Sequence, residues 1–235
     1  MNKITLGLTT AGMALALSAC GSTSNSASGE ASGETPKVLI VAIDMSASTM
    51  GLDDQAQKRI GSDLRRKIEG LPLGSNVVIF TVGDDRESVV SQEFGVTRYA
   101  TEESDTPEAL AVKIPDMVVS YLQEAHAKGK YQGQSALTGA VWDANKYCND
   151  ATCDFIFFTD GMQNTASGVK YPDDFEKPLV PLEGMRLANM DVTLKGVGAG
   201  SDPNEAMSDI RIKVEAQWRK FLSDAGAKSI TISRL

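Results

Sequence analysis

The chain of 235 residues contains one histidine, His126. That scarcity excludes multi-histidine metal centres and disfavours histidine-dependent catalytic triads. Positive charge is also short: 23 Lys and Arg stand against 31 Asp and Glu, for a formal net charge of −8. Such a chain offers no positive field to offset phosphate repulsion, which argues against a nucleic-acid partner. No apolar run near the N-terminus is long and uninterrupted enough for an ordinary membrane span. Cysteine is limited to three residues, too few for a disulfide-built scaffold. What is present is a globular balance, 42% hydrophobic and 23% charged, enough for one good-sized core.

The first nineteen residues read as an export signal. Lys3 supplies the positive start, and Ile4 to Leu17 form a short apolar region rich in Leu and Ala. The region ends in Leu17-Ser18-Ala19-Cys20, which resembles the lipobox of bacterial lipoproteins. By that resemblance Cys20 is lipidated and becomes the new N-terminus. The domain is then exported and held at a bacterial membrane, facing periplasm or exterior. Gly21 to Pro36 carry no large apolar side chain and read as a flexible tether with an r.m.s. span of about 20–25 Å. The folded domain is expected over 37–235. In an oxidising compartment the remaining pair, Cys148 and Cys153, reads as a disulfide, worth only about 2 kcal/mol because its loop is short.

Hydrophobic patterning predicts alternating strands and helices. Lys37 to Ile43 is a near-continuous aliphatic run ending at Asp44, as in a strand buried on both faces. Ala56, Ile60, Leu64 and Ile68 recur every four residues and predict an amphipathic helix closed by Gly70 and Pro72. Asn76 to Val82 predicts a second strand, and Glu87 to Thr97 an edge strand or hairpin arm. Leu110 to Ala125 form a helical stripe interrupted by Pro115, so that helix either kinks or starts at the proline. Leu137 to Tyr147 predict a further helix, Phe155 to Thr159 a buried strand ending at Asp160, and Val192 to Val197 another. Met207 to Leu222 predict a long helix, and Ser229 to Ser233 a last strand. The expected fold is α/β: a Rossmann-like, doubly wound, mostly parallel sheet with helices on both faces.

In such sheets ligands bind beyond the carboxyl ends of the strands. Two predicted strands end there in aspartate, which packing alone would not select. One continues as Asp44-Met45-Ser46-Ala47-Ser48, a D-x-S-x-S arrangement; the other reads Thr159-Asp160-Gly161. Between them Gly133-Gln134-Ser135-Ala136-Leu137-Thr138-Gly139 forms a polar turn entering a helix. Together, over Lys37 to Leu235, these segments resemble the metal-ion-dependent adhesion site of von Willebrand factor A domains. The resemblance implies that Ser46, Ser48 and the mid-chain hydroxyl bind Mg²⁺ directly, while Asp44 and Asp160 hold bound waters. Matching the family's G-G-T-x-L-x-x-A-L pattern places Ser135 at the metal, with Thr138 as the alternative. Mn²⁺ or Ca²⁺ are alternative ions. Mg²⁺ takes octahedral oxygen ligands and keeps several waters, so this donor set leaves it electrophilic with one position open. A partner's carboxylate can fill that position, which implies a protein-binding, adhesion-type module.

Other features carry less. Asp44, Ser46 and Ser48 taken singly are also residue types that cap a helix. Gly196 to Gly200 reads as a turn, since no helix start follows it. Met162 to Pro181 is a long connection on the metal side and a natural recognition surface. No activated nucleophile is evident, so an enzyme is not expected. A metal-dependent enzyme acting on a small anionic substrate and a metal-free scaffold are the alternatives to a binding module.

Overall fold

The computed structural model describes residues 34–45, 54–82, 91–101, 104–127, 136–148, 151–162, 177–197 and 206–234. The predicted signal, Cys20 and most of the tether lie outside the described residues. Seven strands form one sheet: β1 (Lys37–Asp44), β2 (Asn76–Val82), β3 (Ser91–Val96), β4 (Ser104–Asp105), β5 (Thr152–Phe158), β6 (Met190–Lys195) and β7 (Ser229–Ser233). Four helices accompany them: α1 (Asp54–Glu69), α2 (Pro107–Ala127), α3 (Leu137–Cys148) and α4 (Ala206–Asp224). The strand order is β4-β3-β2-β1-β5-β6-β7, and only the β2–β3 pairing is antiparallel.

Period-two alternation sorts the buried side chains of β1 onto two faces. Leu39, Val41 and Ile43 pack with Ile60, Leu64 and Ile68 of α1 and with Leu110, Ile114 and Val118 of α2. Ile40 and Ala42 point the other way, into a core with Leu137 and Val141 of α3 and Val214 and Trp218 of α4. The sheet is therefore covered on both faces, which is why β1 and the Phe155–Phe158 half of β5 read as continuous apolar runs. The expected doubly wound α/β architecture is borne out. The chain leaves β1 toward β2 on one side and returns to its other side as β5, so the winding reverses between β1 and β5.

The structure refines two expectations. The segment before Thr97 is a hairpin arm, β3 against β2, but the sheet edge is the two-residue β4. Helix α2 starts at Pro107 and not at Pro115. Thr106 caps it, its hydroxyl accepting the Ala109 N–H at 3.3 Å, and Pro107 occupies the first helical position, where a missing N–H costs nothing. Pro115 sits inside the helix and cannot donate to the carbonyl of Ala111. Arg65 Nε of α1 donates to that carbonyl instead, at 3.3 Å. The bond lost within α2 is thus replaced from its neighbour. Arg65→Ala should destabilise the fold by about 1 kcal/mol in urea unfolding. In a Pro115→Ala background, where the helix makes its own bond, the same change should cost markedly less; equal costs would show that Arg65 does not serve that carbonyl.

At the amino end of the sheet Cys148 and Cys153 form the expected disulfide, with Cα atoms 5.8 Å apart. It joins the last residue of α3 to the second of β5. Near the same end Asp191 accepts from Lys228 Nζ at 2.8 Å and from Ser229 Oγ at 2.5 Å, tying β6 to the start of β7. These two bonds, Lys228 first, hold the Asp191 carboxyl below the usual carboxylate range. Among the described residues no helix is long and apolar enough to cross a membrane.

Candidate metal centre

Asp44 is the last residue of β1, and Asp160 lies two residues beyond β5. The two strands are hydrogen-bonded neighbours, with Ile43 opposite Phe158 at the carboxyl end of the pair. Both aspartates therefore stand at the rim of the crevice where the winding reverses, the place such sheets use for ligands. Each is fully buried, as is Thr159 between β5 and Asp160.

Hydrogen bonds organise this cluster. The Thr159 hydroxyl donates to Asp44 Oδ2 at 2.8 Å and accepts the Gly161 N–H at 2.9 Å. Its proton and lone pair are thereby both assigned, and the first strand end is linked to the turn after β5. Asp160 Oδ1 accepts the Met162 N–H at 2.8 Å, an Asx-type turn that fixes its carboxyl. Gly161 has φ +80°, a left-handed conformation suited to glycine. Its carbonyl accepts from Trp218 Nε1 of α4 at 2.8 Å.

The remaining expected ligands are distributed as follows. Ser46, Ser48 and Ser135 lie outside the described residues. Thr138 sits in the first turn of α3, half-buried. The sequence reading missed Thr159 as the link between the aspartates, and it placed Trp218 only in a helical apolar stripe. A hydroxyl residue closing an otherwise aromatic strand is the signal that marks Thr159.

The chemistry of the described donors fits a hard divalent cation. Two carboxylates withdrawn from water at one crevice accumulate negative charge, which costs several kcal/mol per ion unless it is offset. Among the described residues no three His, Cys, Asp or Glu converge. A hydroxyl- and water-rich shell with few carboxylates is what Mg²⁺ tolerates. Asp44 and Asp160 supply the charge, and Ser46, Ser48 and Ser135 or Thr138 are the hydroxyls that would complete the set.

No protein-family model matches this chain, and no curated protein does. Distant likenesses are found among solved structures. Proximal thread matrix protein 1 from the mussel byssus, with a zinc-occupied MIDAS motif, is similar at 12% identity and a TM-score of 0.44, over 85% of this chain and 41% of that one. A von Willebrand factor type A structure from Catenulispora acidiphila is similar at 15% identity and a TM-score of 0.39, over 86% and 39%. The human COPII-coat protein Sec24c is similar at 11% identity and a TM-score of 0.44, over 85% and 29%. The chain spans less than half the length of each of these proteins.

Proposed function

We propose that this chain is a lipid-anchored, extracytoplasmic domain of the von Willebrand factor A kind that binds a protein partner through a divalent cation. In this reading residues 1–19 are removed, Cys20 carries the lipid, and 21–36 let the domain stand off the membrane surface. Ser46, Ser48 and Ser135 or Thr138 bind the cation, Mg²⁺ in the first instance, and Asp44 and Asp160 hold it through its bound waters. The cation supplies Lewis-acid attraction for an acidic side chain of the partner. The protein's own residues orient the donors and keep bulk water from the carboxylates. The domain acts as a binding module and not as an enzyme.

One observation carries the reading. Asp44 and Asp160, distant in sequence, are both fully buried at the carboxyl ends of neighbouring strands, and Thr159 ties one strand end to the other. Packing alone gives no reason to bury two carboxylates there. The test is capture of a partner from extracts of the source organism on immobilised protein, in Mg²⁺ and in chelator. The partner should be retained in Mg²⁺, released by chelator, and not retained by Asp160→Asn. Retention that ignores both chelator and substitution would overturn the proposal.

A further inference from the structure

Resting on the metal reading above, we propose that Trp218 is a positioning residue for the cation: its indole N–H fixes the Gly161 turn and so sets how tightly Asp160 and Asp44 hold a metal. Trp218 lies on α4. It is fully buried, and Phe221 packs edge-on against it with ring centroids 5.4 Å apart. The ring is therefore held in place, and its N–H, which has to find an acceptor when buried, finds the Gly161 carbonyl. The Gly161 peptide faces both ways. Its N–H holds the Thr159 hydroxyl that donates to Asp44, and its carbonyl is held by Trp218. Asp160 is the residue before it, and its own carboxyl is fixed by the residue after it.

The space around the turn is filled from the same helix. A Cβ on Gly161 would come within 2.9 Å of Val214 Cγ1 and 3.1 Å of Trp218 Nε1. Helix α4 thus determines where the T-D-G turn can lie, by contact and by one directed bond. Gln217, the residue before Trp218, donates to the Lys177 carbonyl at 2.7 Å. That bond is exposed and touches neither aspartate, so Gln217 is a built-in control on the same helix.

The experiment titrates the full chain with Mn²⁺, reading free ion by electron paramagnetic resonance, for wild type, Trp218→Phe and Gln217→Ala. Phenylalanine keeps an aromatic ring and removes the donor. Its affinity should fall about tenfold, while Gln217→Ala binds as wild type does. Affinity unchanged in folded Trp218→Phe would overturn the inference and leave the metal reading standing. No saturable binding by wild type would overturn both. A purely structural role for Trp218 would lower the melting temperature in chelator but leave the affinity of the folded protein where it was. If Trp218→Phe does not fold, Trp142→Phe leaves Trp218 as the one tryptophan. Its emission should then shift on adding Mg²⁺, with the midpoint of the binding curve; a flat emission at saturation would overturn the inference.

Discussion

Mg²⁺ should stabilise the wild-type domain if the proposed site binds it, and replacing Asp44 with asparagine should abolish that stabilisation while leaving the domain folded. An ion that binds only the native state stabilises it by about 2.7 kcal/mol at a hundred times its dissociation constant. For a domain of this size that raises the melting temperature by about 5–10 °C. Asparagine keeps the shape of Asp44 and an oxygen that can still accept from Thr159, so the bond at 2.8 Å survives and the charge does not. Asp44→Ala removes both, leaves the buried Thr159 hydroxyl short of its acceptor, and should cost a further 1–3 kcal/mol, approximately, in the absence of metal. The comparison also controls for the acidity of the chain. A net charge of −8 attracts divalent ions everywhere, and that diffuse stabilisation would persist in the asparagine variant. Calorimetric melting of the three proteins in Mg²⁺ and in chelator decides the matter. A full shift retained by Asp44→Asn would remove Asp44 from the site.

Gly161→Ala should be among the most damaging small substitutions in the protein, costing about 2–4 kcal/mol in urea unfolding. Two separable penalties combine. A left-handed residue with a Cβ is strained by about 1 kcal/mol or somewhat more. The new methyl also meets Val214 Cγ1 at 2.9 Å and Trp218 Nε1 at 3.1 Å, both from fully buried side chains with little room to retreat. Gly226 separates the two effects. It closes α4 with φ +77°, and nothing lies within 4 Å of where its Cβ would be. Gly226→Ala should therefore pay for conformation alone, about 1 kcal/mol. If the two variants are equally destabilised, α4 does not press on the turn, and the close contact has no energetic meaning. Val214→Ala introduced beside Gly161→Ala should recover part of the loss, so that the two changes are less than additive.

Most of the architecture is legible from periodicity because burial is so one-sided. β1 and the Phe155–Phe158 half of β5 lie between helices on both faces and carry apolar runs, and α1 shows its buried stripe at Ile60, Leu64 and Ile68. β4 escapes notice because two residues carry no period. Helix α2 is read too cautiously at Pro115. The fold supplies the missing bond from Arg65, forty-six positions from the Ala111 carbonyl it serves, and no local rule anticipates that. The pair Thr106-Pro107, by contrast, is a readable cap followed by a favoured first residue. At the site, Asp44 and Asp160 stand out because each follows closely on an apolar run, VLIVAI before Asp44 and FIFF ending two residues before Asp160. Thr159 and Trp218 do not, since their roles depend on partners 115 and 57 positions away. A hydroxyl or an indole N–H in a sequence announces a need for a partner without saying which.

The bridge between Cys148 and Cys153 has a bearing on how the environment acts on this molecule. It clasps helix to strand at the foot of the sheet, whereas Asp44 and Asp160 stand at the head. A reducing milieu would loosen the foot and shorten the protein's lifetime without touching the aspartates. On the proposed metal reading, loss of divalent ions would empty the head and leave the clasp intact. If the proposed cation binds, oxidation state and ion supply would address opposite ends of the β1–β5 pair, one bearing on endurance and the other on engagement.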